Sequence, residues 1–422
     1  MRKKIIFFLP LFLLVLSCGT DLRDGFSVSV TGATNGERKW TILLYMAADN
    51  NLESDAITDF NEMELASTGA NVTVIALIDR AEGYDATNGD WTDTRLYKIK
   101  RDSQVNKTYI ASERLECPEL GLSASESTEL DMANPATLSG FLTFARRKFP
   151  AEHFALVLWG HGTGWRASDK GSENCRAVAL DSASSSYMGI SALRSAIEDG
   201  MCGKKLSVIA FDTCFGMCLE TAFELSGCAE YMLGTPALVP ESGWNYTDVL
   251  NCLAESDFTA TSFIKAASSS YARLYKNYPY ACFSCVELSK IPSVVRAFSS
   301  CSKNLADSIS DRTRSEEIFS ALMGKCRSYC DSAYPTDFYL DVGDFARVVG
   351  GKSDFSAVET ALSETIVSSW SADGKPSSLG VLFCVYQAAG VIQTSHPSAY
   401  IFDSQNTDVS RFVRNCRGYV PG

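Results

Sequence analysis

Short, purely apolar runs recur along the chain at Trp40–Met46, Val72–Ile78, Phe154–Trp159, Leu206–Phe211 and Cys228–Leu233. Each is too short for a helix and lacks polar alternation, the pattern of a strand buried on both faces. Between the runs, apolar residues return at helical spacing. Leu52, Ile57, Phe60, Met63 and Leu65 form one set, and Leu138, Phe141, Leu142 and Phe144, behind Pro135, form a second. Ile190–Ile197 is a third, and Met217, Leu219, Ala222, Phe223 and Leu225 a fourth, read as a helix that starts directly after Cys214. Strands alternating with helices predict a mostly parallel sheet covered on both sides, an α/β fold. Trp91–Lys100 alternates and reads as a hairpin arm beside that sheet. Past Trp244 helical spacing dominates, over Phe263–Tyr278, Val294–Ile309 and Glu317–Tyr329, with strand-like Ala281–Leu288 and Leu379–Tyr386 between. The expected division is a main domain over 39–256 and a helix-rich C-terminal region over 257–422 with strands available to the sheet.

The first residues have a different pattern. Arg2, Lys3 and Lys4 precede the apolar stretch Ile5–Leu16, which has the length of a signal core and falls short of a bilayer span. It ends Val15-Leu16-Ser17-Cys18, which resembles a bacterial lipobox. That resemblance implies a signal peptide over 1–17, acylation of Cys18 and a polar tether over 18–38. The protein would then be exported and lipid-anchored to a bacterial membrane, in the periplasm or at the cell surface. A plain signal peptide that happens to hold a cysteine is the alternative.

Composition narrows the function. A chain with 46% hydrophobic and 21% charged residues is an ordinary globular one. A net charge of -12 argues against nucleic acid as partner, which calls for a basic face. Fifteen cysteines in an exported protein suggest disulfides, yet their spacing is irregular and Cys282/Cys285 is a lone CxxC. With three histidines and no second CxxC, no structural metal site is readable. Most cysteines therefore read as small buried hydrophobes.

Candidate chemistry follows by elimination. No HExxH and no GxSxG occurs. The stretch ending Gly350-Gly351-Lys352-Ser353 has Ala346 where a phosphate loop needs its first glycine. Gly160-x-Gly162-x-Gly164 follows a strand, but Trp165 stands where a dinucleotide loop has its third glycine. What remains is a thiol and an imidazole, Cys214 and His161, each just past the carboxyl end of an expected strand. In a parallel sheet those ends share one rim, where ligands bind. A helix start at Cys214 would lower its thiol pKa. The N–H groups of Gly162 and Cys214 are candidate oxyanion donors. Cys218, one turn into the same expected helix, competes as nucleophile, while His153 reads as structural and His396 as a loop residue. A cysteine at a strand–helix turn and a histidine after a strand each also have an ordinary structural reading.

Three segments carry a resemblance. Trp40–Glu53 (WTILLYMAADNNLE), Phe154–Trp165 (FALVLWGHGTGW) and Val208–Glu224 (VIAFDTCFGMCLETAFE) resemble the clostripain family of cysteine peptidases, in the clan of caspases, legumain and gingipains. The resemblance implies a caspase-like sheet and a Cys–His dyad, with His161 and Cys214 in those roles. Asp212 matches an acidic residue that helps shape a pocket for arginine or lysine. A partly buried carboxylate would suit a guanidinium, and capping of the following helix is the other reading. The chain departs from the family pattern over Thr235–Trp244, where Glu241 is the one acidic residue. Relatives are often processed after a basic residue between His and Cys, which nominates Arg176. Calcium dependence also occurs in the family, although no EF-hand is present. The expectation is a monomeric cysteine endopeptidase acting on proteins or peptides after Arg or Lys, held to the membrane through Cys18. The alternative is a non-catalytic surface lipoprotein that binds peptide or glycan on the same fold.

Overall fold

A computed structural model describes residues 38–104, 109–164, 178–329, 337–375 and 377–384. The described chain runs β1 (Arg38–Ala48), α1 (Glu53–Leu65), β2 (Val72–Arg80), β3 (Thr94–Lys98), β4 (Glu113–Arg114), α2 (Pro135–Lys148) and β5 (Ala151–Trp159). It continues through β6 (Val178–Asp181), β7 (Ser186–Met188), α3 (Ile190–Met201), β8 (Leu206–Asp212), α4 (Leu219–Glu224) and β9 (Ala229–Gly234). Then follow α5 (Tyr246–Ala254), α6 (Ala260–Tyr275), β10 (Cys282–Glu287), α7 (Ile291–Ser308) and α8 (Arg312–Lys325). The last elements are β11 (Asp337–Asp341), α9 (Val342–Val349), α10 (Lys352–Thr365), β12 (Ile366–Ser371) and β13 (Gly380–Cys384).

Nine strands form one sheet in the order β12-β10-β9-β8-β5-β1-β2-β3-β4. The five central strands are parallel, and the outer ones are added antiparallel on both sides. The five central strands are the five apolar runs of the sequence. Each is covered on both faces, so its side chains divide alternately between two cores. On β1, Leu43 and Tyr45 enter the core shared with α2, α3, α4, α7 and α9. Ile42, Leu44 and Met46 enter the opposite core, filled by α1, α5 and α6. The C-terminal part contributes β10 and β12 to the sheet edge, with Ser284 opposite Gly234 and Phe283 opposite Trp370. Cys282 and Cys285 lie three positions apart on β10 and enter opposite cores, so the lone CxxC cannot close a disulfide. All cysteines described as such are free thiols, most of them buried. Among the described residues no helix is long and apolar enough to cross a membrane. Cys18, the signal segment and nearly all of the tether lie outside the described residues.

One sequence expectation fails here. No helix starts at Cys214: residues 213–218 form a turn and α4 begins only at Leu219. The apolar character of 215–217 belongs to a buried turn. Phe215 takes a positive φ of 56° and donates its N–H to Ala237 O (2.8 Å), and Met217 N–H donates to Thr235 O (3.1 Å). The turn is thus pinned along the segment that follows β9 and cannot wind into a helix.

Candidate active site

β5 and β8 are parallel neighbours whose last paired residues are Trp159 and Asp212. His161 and Cys214 each stand two positions beyond that pair, on the same rim. Two glycines bring the loops together. Gly160 has φ 132°, and a Cβ there would lie 2.9 Å from Ala47 O. Gly162 rests directly on the other loop: a Cβ at this position would lie 2.6 Å from both Cys214 O and Thr213 Cβ. No side chain fits between the backbones that carry the imidazole and the thiol.

His161 is half-buried, and its Nε2 is 2.9 Å from Asn51 Oδ1. An amide oxygen only accepts, so Nε2 carries the proton and Nδ1 is the basic nitrogen. Burial pushes the imidazole pKa below its ordinary value, which keeps it neutral at neutral pH. Cys214 Sγ accepts the Val239 N–H at 3.3 Å and lies 4.0 Å from Val239 O. Burial raises its thiol pKa, the Val239 N–H opposes that, and the nearby Asp212 charge raises it further. The expected lowering by a helix start is therefore reversed: the thiol is buried, no helix starts at this point, and an acid stands nearby. The resting pair is thiol and neutral imidazole. Among the described residues no backbone carbonyl takes the Cys214 N–H.

The competitors fall away on position. Cys218 is fully buried at the residue before α4, with Sγ donating to Phe215 O (2.9 Å). His153 stacks on Trp40 with ring centroids 4.8 Å apart, and its Nδ1 meets Ser207 Oγ at 2.9 Å. His396, Trp165 and Arg176 lie outside the described residues.

Beneath the rim is an acidic floor. Asp212 is 4% exposed; its Oδ2 accepts Tyr246 O–H (2.9 Å) and Trp244 N–H (3.2 Å). Its Oδ1 is buried without a donor among the described residues. The capping reading fails, since α4 begins seven residues later. Asp59, from α1, accepts Trp159 Nε1–H on Oδ2 (2.7 Å). The two carboxylates converge on Gly243, where a Cβ would lie 3.1 Å from an oxygen of each. Burial first, opposed by the Tyr246 and Trp244 bonds and aided by Glu62, pushes Asp212 up to about 7. Burial and the Asp212 charge push Asp59 up as well. Among the described residues, the charges that act most on this pair are carboxylates. Asp59 and Asn51 escaped the sequence reading. Asn51 sits in a quoted segment, but Asp59 reads as an ordinary polar position of a helix.

A thiol and an imidazole thus stand on adjacent strand ends, above a buried acidic floor, on a mostly parallel sheet covered on both faces. The family model described as the clostripain family matches residues 44–414, and the chain belongs to that family. It is a cysteine-type endopeptidase by that membership. Clostripain of Hathewaya histolytica is 25% identical over 383 residues, which span 80% of this chain and 70% of the relative. Among solved structures, an inactive zymogen C11 protease from Parabacteroides distasonis covers 90% of this chain and 99% of its own, with TM-score 0.61 and 17% identity. A secreted C11 cysteine protease from Bacteroides thetaiotaomicron, in complex with an irreversible peptide inhibitor, covers 88% and 99%, with TM-score 0.60 and 17% identity.

Proposed function

We propose that the chain hydrolyses peptide bonds after Arg or Lys through Cys214 and His161. His161 Nδ1 takes the thiol proton as Sγ attacks the substrate carbonyl carbon. The N–H groups of Gly162 and Cys214 hold the oxyanion. The imidazolium then protonates the leaving amine, and the acyl group stays on Sγ as a thioester. Water, deprotonated by His161, releases the new carboxylate and restores the thiol. The observation that carries the specificity is the buried Asp212–Asp59 pair, with an oxygen that has no donor and no basic side chain acting on it among the described residues. A guanidinium or ammonium from the substrate supplies that missing charge. This second carboxylate makes up for the sparse acidity of Thr235–Trp244, where Glu241 stays exposed.

Export with an acyl anchor on Cys18, and processing after Arg176, complete the reading. The secreted state and peptide inhibitor of the Bacteroides relative are in keeping with export and with a peptide-binding cleft. The test is hydrolysis of fluorogenic peptides bearing Arg, Lys, Asp or Ala before the cleaved bond, by the wild type and by Cys214→Ala and Asp212→Asn. Activity on Arg and Lys is expected, absent in Cys214→Ala and reduced at least about tenfold in Asp212→Asn, the scale of one lost charge-assisted contact. Activity on another residue alone would discard the basic pocket. Silence on every peptide, after limited proteolysis too, would favour a non-catalytic peptide- or glycan-binding lipoprotein.

A further inference from the structure

The parallel strands have a second rim, at their amino ends. β1 opens with Arg38 and Lys39, β5 follows closely on Arg146, Arg147 and Lys148 at the end of α2, and β8 follows directly on Lys204 and Lys205. The strand starts are level, with Arg38 opposite Ala151 and Ala155 opposite Val208. Contacts join the segments. The Arg38 guanidinium lies over the Phe149 ring, 5.9 Å from its centroid. Arg146 Nε donates to Gly200 O (3.2 Å), in the last turn of α3. In a chain of net charge -12, these cations share one edge.

Most of them are unpaired. Lys39 meets Glu152 (2.6 Å) and Arg147 meets Glu119 (3.1 Å). Among the described residues, Arg38, Arg146, Lys148, Lys204 and Lys205 make no ion pair, and the three lysines are exposed. Of the acids on the same segments, Glu152 and Glu198 are paired, the second with Arg194 (3.3 Å), which leaves Asp199. Basic residues in the last turn of a helix complement its dipole, an ordinary reason for Arg146–Lys148. Arg38, Lys204 and Lys205 stand outside any helix and have no such reason. The face is bounded. It lies on the side of α2 and α3, ends at exposed Glu230 on β9, and gives way to exposed Glu255 and Asp257 on the side of α5.

The rim that carries His161 and Cys214 has the opposite sign. Asp49, Asp79 and Glu129 each bring an oxygen within 4.8 Å of the others there. Asp55 feels the charge of Glu241 and acts in turn on Asp59, beside Asp212. The molecule is thus acidic at the carboxyl ends of its strands and basic at the amino ends. The way the chain enters the fold assigns the partner. β1 begins at Arg38, so residues 18–38, read as the tether, join the fold within the basic edge.

We propose that the face built from Arg38, Arg146, Lys148, Lys204 and Lys205 rests on an anionic phospholipid surface and turns the His161–Cys214 rim away from it. The proposal rests on the exported, membrane-held reading of Cys18. Cations close to an anionic bilayer are drawn to it, about fivefold in partition for each, within roughly a Debye length. The acyl anchor holds the domain at the membrane, and the face sets which way up it stands. The acidic rim, repelled by the same surface, acts in the same sense. A cleft turned outward meets polypeptides arriving from solution.

The test uses residues 18–422 carrying Cys214→Ala, made without an acyl chain, so that only the face can bind and self-cleavage plays no part. Every described residue is retained. Cosedimentation with vesicles of phosphatidylglycerol and phosphatidylethanolamine in equal parts is expected at low ionic strength. It should be absent with pure phosphatidylcholine, and absent at about 0.5 M salt, where the Debye length is about 4 Å. Lys148→Gln, Lys204→Gln and Lys205→Gln together should lower the partition about a hundredfold. Their melting temperature should match the parent, since all three side chains are in solvent. On the vesicles, amine labelling read by mass spectrometry should spare Lys148, Lys204 and Lys205. Exposed Lys352, at the start of α10, and exposed Lys375, beyond β12, should stay reactive. No binding to the anionic vesicles, equal binding to phosphatidylcholine, full binding by the triple variant, or protection of Lys352 and Lys375 instead overturns the proposal. Binding to soluble polyphosphate with none to vesicles overturns it as well and gives the face to a soluble polyanion. Acylation of Cys18 is read separately, by mass spectrometry of the membrane fraction. A bare Cys18 with vesicle binding intact keeps the face and discards the anchor.

Discussion

Burial and one carboxylate set the ionisation of Cys214. Its thiol is held above the ordinary range first by burial and then by Asp212. A thiol with a raised pKa is protonated at neutral pH, and its thiolate fraction grows as pH rises. Alkylation by iodoacetamide should therefore keep climbing past the level where an ordinary thiol, of pKa about 8.5, flattens. Asp212 ionises near pH 7, so above that pH its charge opposes the thiolate. Asp212→Asn removes that charge and should move the alkylation profile to lower pH while impairing cleavage after Arg or Lys. A profile that moves upward, or not at all, contradicts the electrostatic account. The places of Cys214, His161 and Asp212 on one rim were legible because each stands at or just past the end of an unmistakable strand. Asp59 was not. It is 2% exposed although its neighbours along α1 read as a polar face, and only the docking of α1 beside Trp159 reveals the pair.

At the level of elements, the rim depends on two loops in backbone contact. Gly162→Ala would place a methyl carbon 2.6 Å from Cys214 O and Thr213 Cβ, neither the end of a flexible chain. The loops must part, with a stability cost of about 1–3 kcal/mol and a loss of activity larger than that cost alone would give. Gly227→Ala, where nothing lies within 4 Å, serves as the neutral control. Assay of both variants at a temperature where each is folded checks the difference. The central strands were readable because two-sided burial leaves them without polar interruption. α4 was misplaced for the same reason: Phe215 and Met217 are buried in a turn, and hydrophobicity alone cannot tell a buried turn from a helix. β12, Ile366–Ser371, went unseen because a half-exposed edge strand mixes Ser with Ile, Val and Trp.

For the whole molecule, the boundary expected near residue 256 cuts through one sheet. β10 pairs with β9 from Tyr231 to Gly234, and its Cys282 and Val286 enter one core while Phe283 and Cys285 enter the other. A fragment of residues 38–256 would leave β9 as a bare apolar edge. It should show no cooperative thermal transition and should aggregate, whereas the full chain unfolds with one. A folded, monomeric fragment would show that the main domain expected over 39–256 stands without the strands of the C-terminal region.

Tyr339, on β11, reaches back to the loop that carries His161: its hydroxyl donates to Thr163 O (2.8 Å), and its ring stacks on Phe215 at 5.0 Å. It also occupies the space that any side chain at Gly164 would need. The two positions, 175 apart in the chain, therefore share a single allotment of volume beside the rim that carries His161 and Cys214. In evolutionary terms they form one heritable character: giving up the aromatic ring at 339 would free the volume at 164, yet a side chain there would still have to bear the left-handed backbone at φ 88°.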